Sequence, residues 1–429
     1  MVLTETRATL DEAATLRRAG IDLELGGHTV RTFEAADLIV TSPGVPTEQA
    51  VFEVARRRRT EIIGELELAS RWVQGPVVAI TGTKGKSTTT TLVGRMLQED
   101  GRPVLVGGNI GVPLSAQVDA STSDTVHVVE VSSFQLETTS TFRPWIAVWL
   151  NFADDHLDRH PTIEAYTAAK ARIFANQRAT DWAVVNADDP TVMTRSEGIA
   201  AQRVQFSASG HVSEGFLIED DWIVKRSGFG TRDSGSPTVE QLIPVSAIEL
   251  TGRHMLNNVV AAAAVASIAG VRPRAMTHAL SGFHGLEHVM EPVGRIGGVR
   301  FVNDSKATNV EAARRSIESF EGGVVALVGG RFKGGDFRDL RGPLSTHGRA
   351  VVAIGEAAPI VKVALQDLLP VVAAGSMREA VAQAYQAAAP DGVVLLAPAC
   401  ASFDWFKDYA ERGRAFKEEV ARLREQKGE

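Results

Sequence analysis

Cysteine is almost missing from this chain, which carries one, Cys400, in 429 residues. That excludes an intramolecular disulfide framework and a metal centre built from cysteine thiolates. Long apolar runs are missing too. No stretch of about eighteen uninterrupted apolar residues occurs, so no membrane-spanning helix is expected, and the opening MVLTETRATLDE has no apolar core of an export signal. Positive charge is not in excess: the formal net charge of -7 argues against a general nucleic-acid binder. RRRR at 56–59 is the one basic run and reads as the solvated end of a helix. Repeats of solenoid period and low-complexity tracts are absent as well. What remains is a soluble, cytoplasmic, monomeric protein working on small molecules, with neither nucleic acid nor membrane as partner.

A 44% hydrophobic composition is ample for packed cores, and the length suggests about three domains. The stretch at 76–101, PVVAITGTKGKSTTTTLVGRMLQEDG, organises them: an apolar strand enters a glycine loop that opens an amphipathic helix. Gly82 and Gly85 let backbone N–H groups turn inward, and the helix start aims its positive dipole end at the same point. A phosphate chain fits there. Lys86 supplies a cation for the outer phosphates, and Ser87 a hydroxyl for a bridging magnesium ion. The spacing departs from the common G-x-x-x-x-G-K-[ST] loop, because Ile80 stands where its first glycine would be.

The first segment reads as a small α/β unit, with SPG (Ser42, Pro43 and Gly44) at the carboxyl end of a strand in ADLIVT. From 76 onward strands and helices alternate through VVAIT, PVLVGG, DTVHVVEVSS and WIAVWLNF, the rhythm of a largely parallel sheet. FLIEDDWIVKRSG reads as a hairpin turning at Asp220 and Asp221, and HMLNNVVAAAAVASIAG as a buried helix. GFHGLEH at 282–288 is rich in turn residues and is read as a hinge. A third α/β unit follows on GVRFVND, VVALVGG, AVVAIG and GVVLLAPA, closed by a charged helix from Tyr409. The expected domains are 1–64, 65–285 and 286–429.

Some residues sit where packing alone would not put them. Glu130 ends a valine strand, where a buried carboxylate is costly; beside a phosphate loop it suggests a magnesium ligand. NFADDHLDRH at 151–160 suits a solvated loop or a metal site, with His156 favoured because its strand should end at the same cleft. Lys170 falls within the apolar stripe of Ile163, Tyr166, Ile173 and Phe174 on one helix. An inward lysine must snorkel, pair with an acid or be modified, and near magnesium a carbamate formed with carbon dioxide would supply a carboxylate ligand. In the last domain Lys306, Lys333 and Ser402 lie on three loops at carboxyl ends of one sheet, a site suited to an acidic substrate.

Taken in order and spacing, TGTKGKSTTT, GGNIG, EVSSFQLE, NFADDHLDRH, AAKARIF, VNADD, NDSKATN and PACASFDWF resemble the Mur ligases, from about residue 36 onward. The strings SSFQLETT and NDSKATN resemble the D-glutamate-adding branch. The resemblance implies three α/β domains: a central P-loop NTPase-like, mainly parallel sheet flanked by a small, incomplete Rossmann-like N-terminal domain and a Rossmann-like C-terminal domain. It implies an ATP-dependent ligase adding D-glutamate to UDP-N-acetylmuramoyl-L-alanine through an acyl phosphate in peptidoglycan precursor synthesis. ATP would lie on Gly82, Thr83, Lys84, Gly85, Lys86, Ser87 and Thr88, with Asn258 and Asp304 at its adenosine. Mg2+ would sit near Ser87 and Glu130 and at His156 with carbamylated Lys170, and Lys86, Glu130, His156 and Lys170 would be catalytic. The UDP-substrate would meet Thr6, Arg7, Ser42, Pro43, Gly44, Asn109 and Ser132, and D-glutamate Thr308, Lys333, Ser402 and Tyr409.

Three departures from the family pattern stand out. No glycine loop for the uridine diphosphate precedes TETR, so an incomplete first sheet and weakened uridine-nucleotide binding are expected. Met255 stands where asparagine is common, and Val289 where an arginine commonly follows His288, leaving Arg295 or Arg331 as candidate replacements. The alternatives are a sibling ligase adding another amino acid, and a nucleotide-binding homologue that has lost catalysis.

Overall fold

The computed structural model describes residues 1–42, 45, 47, 49–153, 162–210, 212–227, 238–249, 253–332 and 334–428. It divides into two compact units, Met1–Phe283 and His284–Glu429, the division falling inside GFHGLEH.

Within the first unit, β1 (Val2–Glu5) pairs in parallel with β2 (Asp22–Leu25), and β3 (Leu38–Thr41) with β4 (Glu61–Gly64). These are two separate two-stranded sheets. The helix Ala50–Arg57 buries Phe52 and Ala55 and leaves Arg56 to Arg59 exposed, with Arg56 paired to Glu53. The basic run is the solvated end of that helix.

A nine-stranded sheet follows: β5 (Val77–Thr81), β6 (Val104–Gly108), β7 (Val126–Glu130), β8 (Ile146–Trp149), β9 (Trp182–Asn186), β10 (Gln202–Ser207), β11 (Gly215–Glu219), β12 (Trp222–Ser227) and β13 (Thr238–Pro244). Its spatial order is β13-β12-β11-β10-β9-β8-β5-β7-β6. Strands β5 to β11 run parallel, β12 runs antiparallel to them, and β13 pairs antiparallel with β12. The apolar runs of β5, β7 and β8 are buried throughout, as a sheet covered on both faces requires. The β11–β12 hairpin turns on Asp220 and Asp221, with φ of 47° and 61°, the left-handed pair that a two-residue turn needs. Because β8, β5 and β7 are neighbours, the loops after all three leave the sheet side by side at its carboxyl edge.

Glu67 joins the first segment to this sheet. It is fully buried on the helix Glu65–Ser70 and accepts the backbone N–H groups of Ser140, Thr141 and Phe142, the Thr141 hydroxyl and Arg71 Nε. Arg71 in turn pairs with Glu61 on β4. Burial pushes the Glu67 carboxyl up, but the bonds from Thr141, Ser140, Arg71 and Phe142 outweigh it and hold it at about 2. A folded value below the unfolded one stabilises at pH above about 4.5, by about 3 kcal/mol, and that stability drains away as pH falls toward 2. Glu67→Gln puts an amide donor among five donor groups, so a loss of about 3 kcal/mol at neutral pH is expected. Urea unfolding at pH 7 and pH 3 checks both signs: the gap between wild type and variant narrows at pH 3.

The second unit is a six-stranded sheet of β14 (Glu291–Ile296), β15 (Val299–Asn303), β16 (Val324–Gly329), β17 (Gly348–Ile354), β18 (Val371–Ala374) and β19 (Val393–Leu396). The order is β14-β15-β19-β16-β17-β18, parallel except for β14. Alternation along β16 sends Val324, Ala326 and Val328 into one core and Val325 and Leu327 into the other, so helices cover both faces. The second core includes Phe416 of the closing helix Tyr409–Lys427, capped by Asp408. No helix among the described residues is long and apolar enough to cross a membrane.

Candidate active site

The loop leaving β5 carries Gly82 at φ 153° and Gly85 at φ 81°, the latter directly before the helix Lys86–Glu99. A Cβ on Gly85 would lie 2.1 Å from Asn258 Oδ1, so only glycine fits both the conformation and the space. Lys86 Nζ donates to the Gly82 and Thr83 carbonyls, each at 2.9 Å.

Glu130, at the end of β7, is 2% exposed. Its Oε2 accepts the Ser87 hydroxyl at 2.6 Å and its Oε1 accepts Asn109 Nδ2 at 2.8 Å. Residues from the loops after β5, β6 and β7 thus meet on one carboxylate. Ser132 caps the next helix, Ser133–Glu137, in a reciprocal pair with Gln135.

Lys170 is 2% exposed on the helix Ile163–Ala171, and its Nζ lies 4.7 Å from the Tyr166 ring centroid. That Nζ donates to the Gly82 carbonyl at 3.0 Å, so Lys170 and Lys86 converge on the same oxygen. The inward face holds Tyr166, Ile173 and Phe174 as expected, but Ile163, in the first turn, is 39% exposed. His156, Lys333, Pro43 and Gly44 lie outside the described residues.

Asn258 is buried against Gly85, and its Nδ2 donates to the sulfur of Met255 at 3.7 Å. Thr6 and Arg7 are exposed and bond to Glu5, and Ser42 is exposed; among the described residues no hydrogen bond joins them to Asn109 or Ser132. In the second unit Asp304 is buried and accepts the Ser316 hydroxyl and the Met290 N–H. Burial pushes its carboxyl up, partly countered by those two bonds. Ser402 is buried, Thr308 half-buried, and Tyr409 39% exposed at the start of the closing helix.

Known proteins resemble this chain. Residues 80–266 match the Mur ligase middle domain, residues 290–400 the Mur ligase glutamate ligase domain, and residues 1–64 the MurD-like N-terminal domain of Mur ligases. The UDP-N-acetylmuramoylalanine–D-glutamate ligase of Acidobacterium capsulatum is 45% identical over 94% of this chain and 86% of its own length. That of Koribacter versatilis is 44% identical over 95% and 88%. The chain belongs to the Mur ligase family. Among solved structures, a pseudomurein peptide ligase type C from Methanothermus fervidus superposes with a TM-score of 0.55 at 17% identity, covering 99% of this chain and 94% of that one. The UDP-N-acetylmuramate-alanine ligase of Thermotoga maritima gives 0.53 at 18% identity, over 98% and 93%. These two show the fold.

This Mur ligase braces its glycine loop with a residue to which pattern reading assigns no role. Asn151, just past β8, accepts the Thr83 and Lys84 N–H groups at 3.1 and 2.9 Å and donates to the Lys84 carbonyl at 3.0 Å. Thr83 Oγ1 also exchanges hydrogen bonds with the Ala153 backbone. The loop is thus clamped from the strand beside it. Asp189 holds the same segment, accepting Phe152 N–H at 2.6 Å while capping the helix Pro190–Arg195. The one sequence signal for Asn151 is a polar residue directly after an apolar strand.

Proposed function

We propose that this chain is the ATP-dependent ligase that joins D-glutamate to UDP-N-acetylmuramoyl-L-alanine in the cytoplasmic synthesis of peptidoglycan precursor. The observation that carries the reading is the glycine cradle at Gly85 with Lys86 and Lys170 on one carbonyl and the Ser87–Glu130 pair beside it. Relatives of that name are 41–45% identical over nearly the full length.

The terminal carboxylate of the UDP-substrate attacks the γ-phosphorus of ATP, the bond to the ADP oxygen breaks, and an acyl phosphate forms. The amine of D-glutamate then attacks the acyl carbon, inorganic phosphate leaves, and the amine proton is released as the amide forms. Activation is needed because oxide is too poor a leaving group for an amine to displace. The loop Gly82 to Thr88 would hold the ATP phosphates through N–H groups other than those of Thr83 and Lys84, which Asn151 takes, with the Lys86 ammonium against charge on the transferring group. Asn258 and Asp304 are assigned to the adenosine part of ATP.

Ser87 and Glu130 offer the hard oxygen donors that a magnesium ion takes, at the mouth of the loop. A bound ion would supply neutralisation of the phosphate charge. His156 and a carbamate on Lys170 are the proposed donors for a second ion. Asn109 and Ser132 are assigned to the UDP-substrate, together with Thr6, Arg7 and Ser42 to Gly44 of a first domain at 1–64. Thr308, Lys333, Ser402 and Tyr409 are assigned to D-glutamate in a third domain at 286–429.

Phosphate release from ATP tests the reading, with each substrate withheld in turn. Release is expected only when both UDP-N-acetylmuramoyl-L-alanine and D-glutamate are present. Faster turnover with another amino acid would make the chain a sibling ligase, and no release would leave a nucleotide-binding homologue.

A further inference from the structure

Arg412 is the large charged side chain that the proposed mechanism leaves unused. It is 1% exposed, one turn into the closing helix after Tyr409. Its Nε donates to Ser305 Oγ at 2.9 Å, one terminal nitrogen to the Ser305 carbonyl at 2.8 Å, and the other to the Cys400 carbonyl at 3.0 Å. Every acceptor is neutral, and among the described residues no carboxylate forms an ion pair with it. A buried guanidinium without a counter-charge is expensive, and a well-packed apolar side chain of similar volume would stabilise a fold at least as well. Its retention as a mere staple is therefore poorly explained.

The acceptors explain it better. Ser305 lies on the loop after β15 that leads to Lys306 and Thr308, and Cys400 on the loop after β19, two residues before Ser402. The Ser305 hydroxyl also donates to the Tyr409 carbonyl at 2.7 Å, binding the start of the closing helix to the same point. The loop after β16, which leads to Lys333, joins as well. Arg331 and Ala401 exchange backbone hydrogen bonds, and a Cβ on Gly330 would come within 3.3 Å of the guanidinium. Two loops and a helix start therefore gather on one cation, and the third loop is laced to one of them through Arg331 and Ala401. Burial pulls that group down to about 10, with Cys400 and Asp404 acting in the opposite sense, so it stays protonated at neutral pH. The Asp404 carboxylate is itself engaged with the Glu356 N–H at 3.0 Å.

We propose that Arg412 is a positioning residue for the incoming amino acid: its fork fixes the rim loops in register for a dicarboxylate. The inference rests on the assignment of Thr308, Ser402 and Tyr409 to D-glutamate. Arg412→Lys keeps the charge and loses the planar fork; Arg412→Met loses both.

In steady-state assays of the full chain, Arg412→Lys raises the KM for D-glutamate about tenfold and Arg412→Met raises it further. The KM values for ATP and the UDP-substrate stay within about twofold. Thermal melts report folding, and Ser305→Ala, which removes one acceptor without touching the charge, stands in if Arg412→Met does not fold. A staple role would lower Tm and leave the D-glutamate KM unmoved, or raise all three KM values together; either result overturns the inference. Ser402→Ala is run alongside. If it raises the D-glutamate KM while folded Arg412 variants do not, Arg412 has no positioning role although the pocket stands. If Arg412→Lys raises that KM and Ser402→Ala does not, the pocket assignment fails at Ser402 and the positioning role stands.

Discussion

Gly85→Ala is expected to cut ATP-dependent turnover about a thousandfold or more in kcat/KM while the protein remains folded. Two effects act at this position. Gly85 has φ 81°, where an L side chain costs about 1 kcal/mol. Its Cβ would also lie 2.1 Å from Oδ1 and 2.8 Å from Cγ of the buried Asn258, so either the loop or Asn258 must move. Gly101 separates the two effects, because it has the same φ of 81° with nothing within 4 Å of a built Cβ. Gly101→Ala should show the backbone cost in its melting temperature and keep its activity. A phosphate-release assay on both variants checks this, and comparable activity in the two would mean that the loop is no tight cradle.

The second large effect is at Lys170. Its removal in Lys170→Ala takes away the bond to Gly82 and the proposed donor to a second magnesium ion, and a loss of about a thousandfold in kcat is expected. Carbamylation adds a further observable. Intact mass near neutral pH should show the addition of one carbon dioxide, and wild-type activity should fall in carbon-dioxide-free buffer and return with bicarbonate. Full activity of an unmodified amine under those conditions would remove the carbamate, and wild-type rates in Lys170→Ala would remove the residue from catalysis.

What could be read from the sequence was whatever broke a pattern. Glu130 was visible because a valine strand has no packing reason to end on an acid, and Lys170 because a lysine interrupted an apolar stripe. The Asp220–Asp221 turn announced itself between two apolar runs. What escaped reading depends on neighbours brought together by folding. Asn151 acts only because β8 lies beside β5, with Thr81 opposite Trp149. Arg412 hides in a helix of charged residues, YAERGRAFKEEVARLREQK, most of whose charges face solvent. Strands β2, β13, β14 and β18 escaped where each borders its sheet and apolar alternation is weak, and the interior strands β9 and β10 escaped as well.

The place of β6 in the sheet carries a last consequence. It closes one margin of the nine strands and has a ladder partner on one side alone, whereas β5 is gripped on both. The segment bearing Asn109 can therefore be reshaped, lengthened or re-aimed without shearing the strand that feeds the glycine turn. Any such change would still be felt at Glu130, whose carboxylate takes the Asn109 amide and whose carbonyl takes the Asn109 N–H.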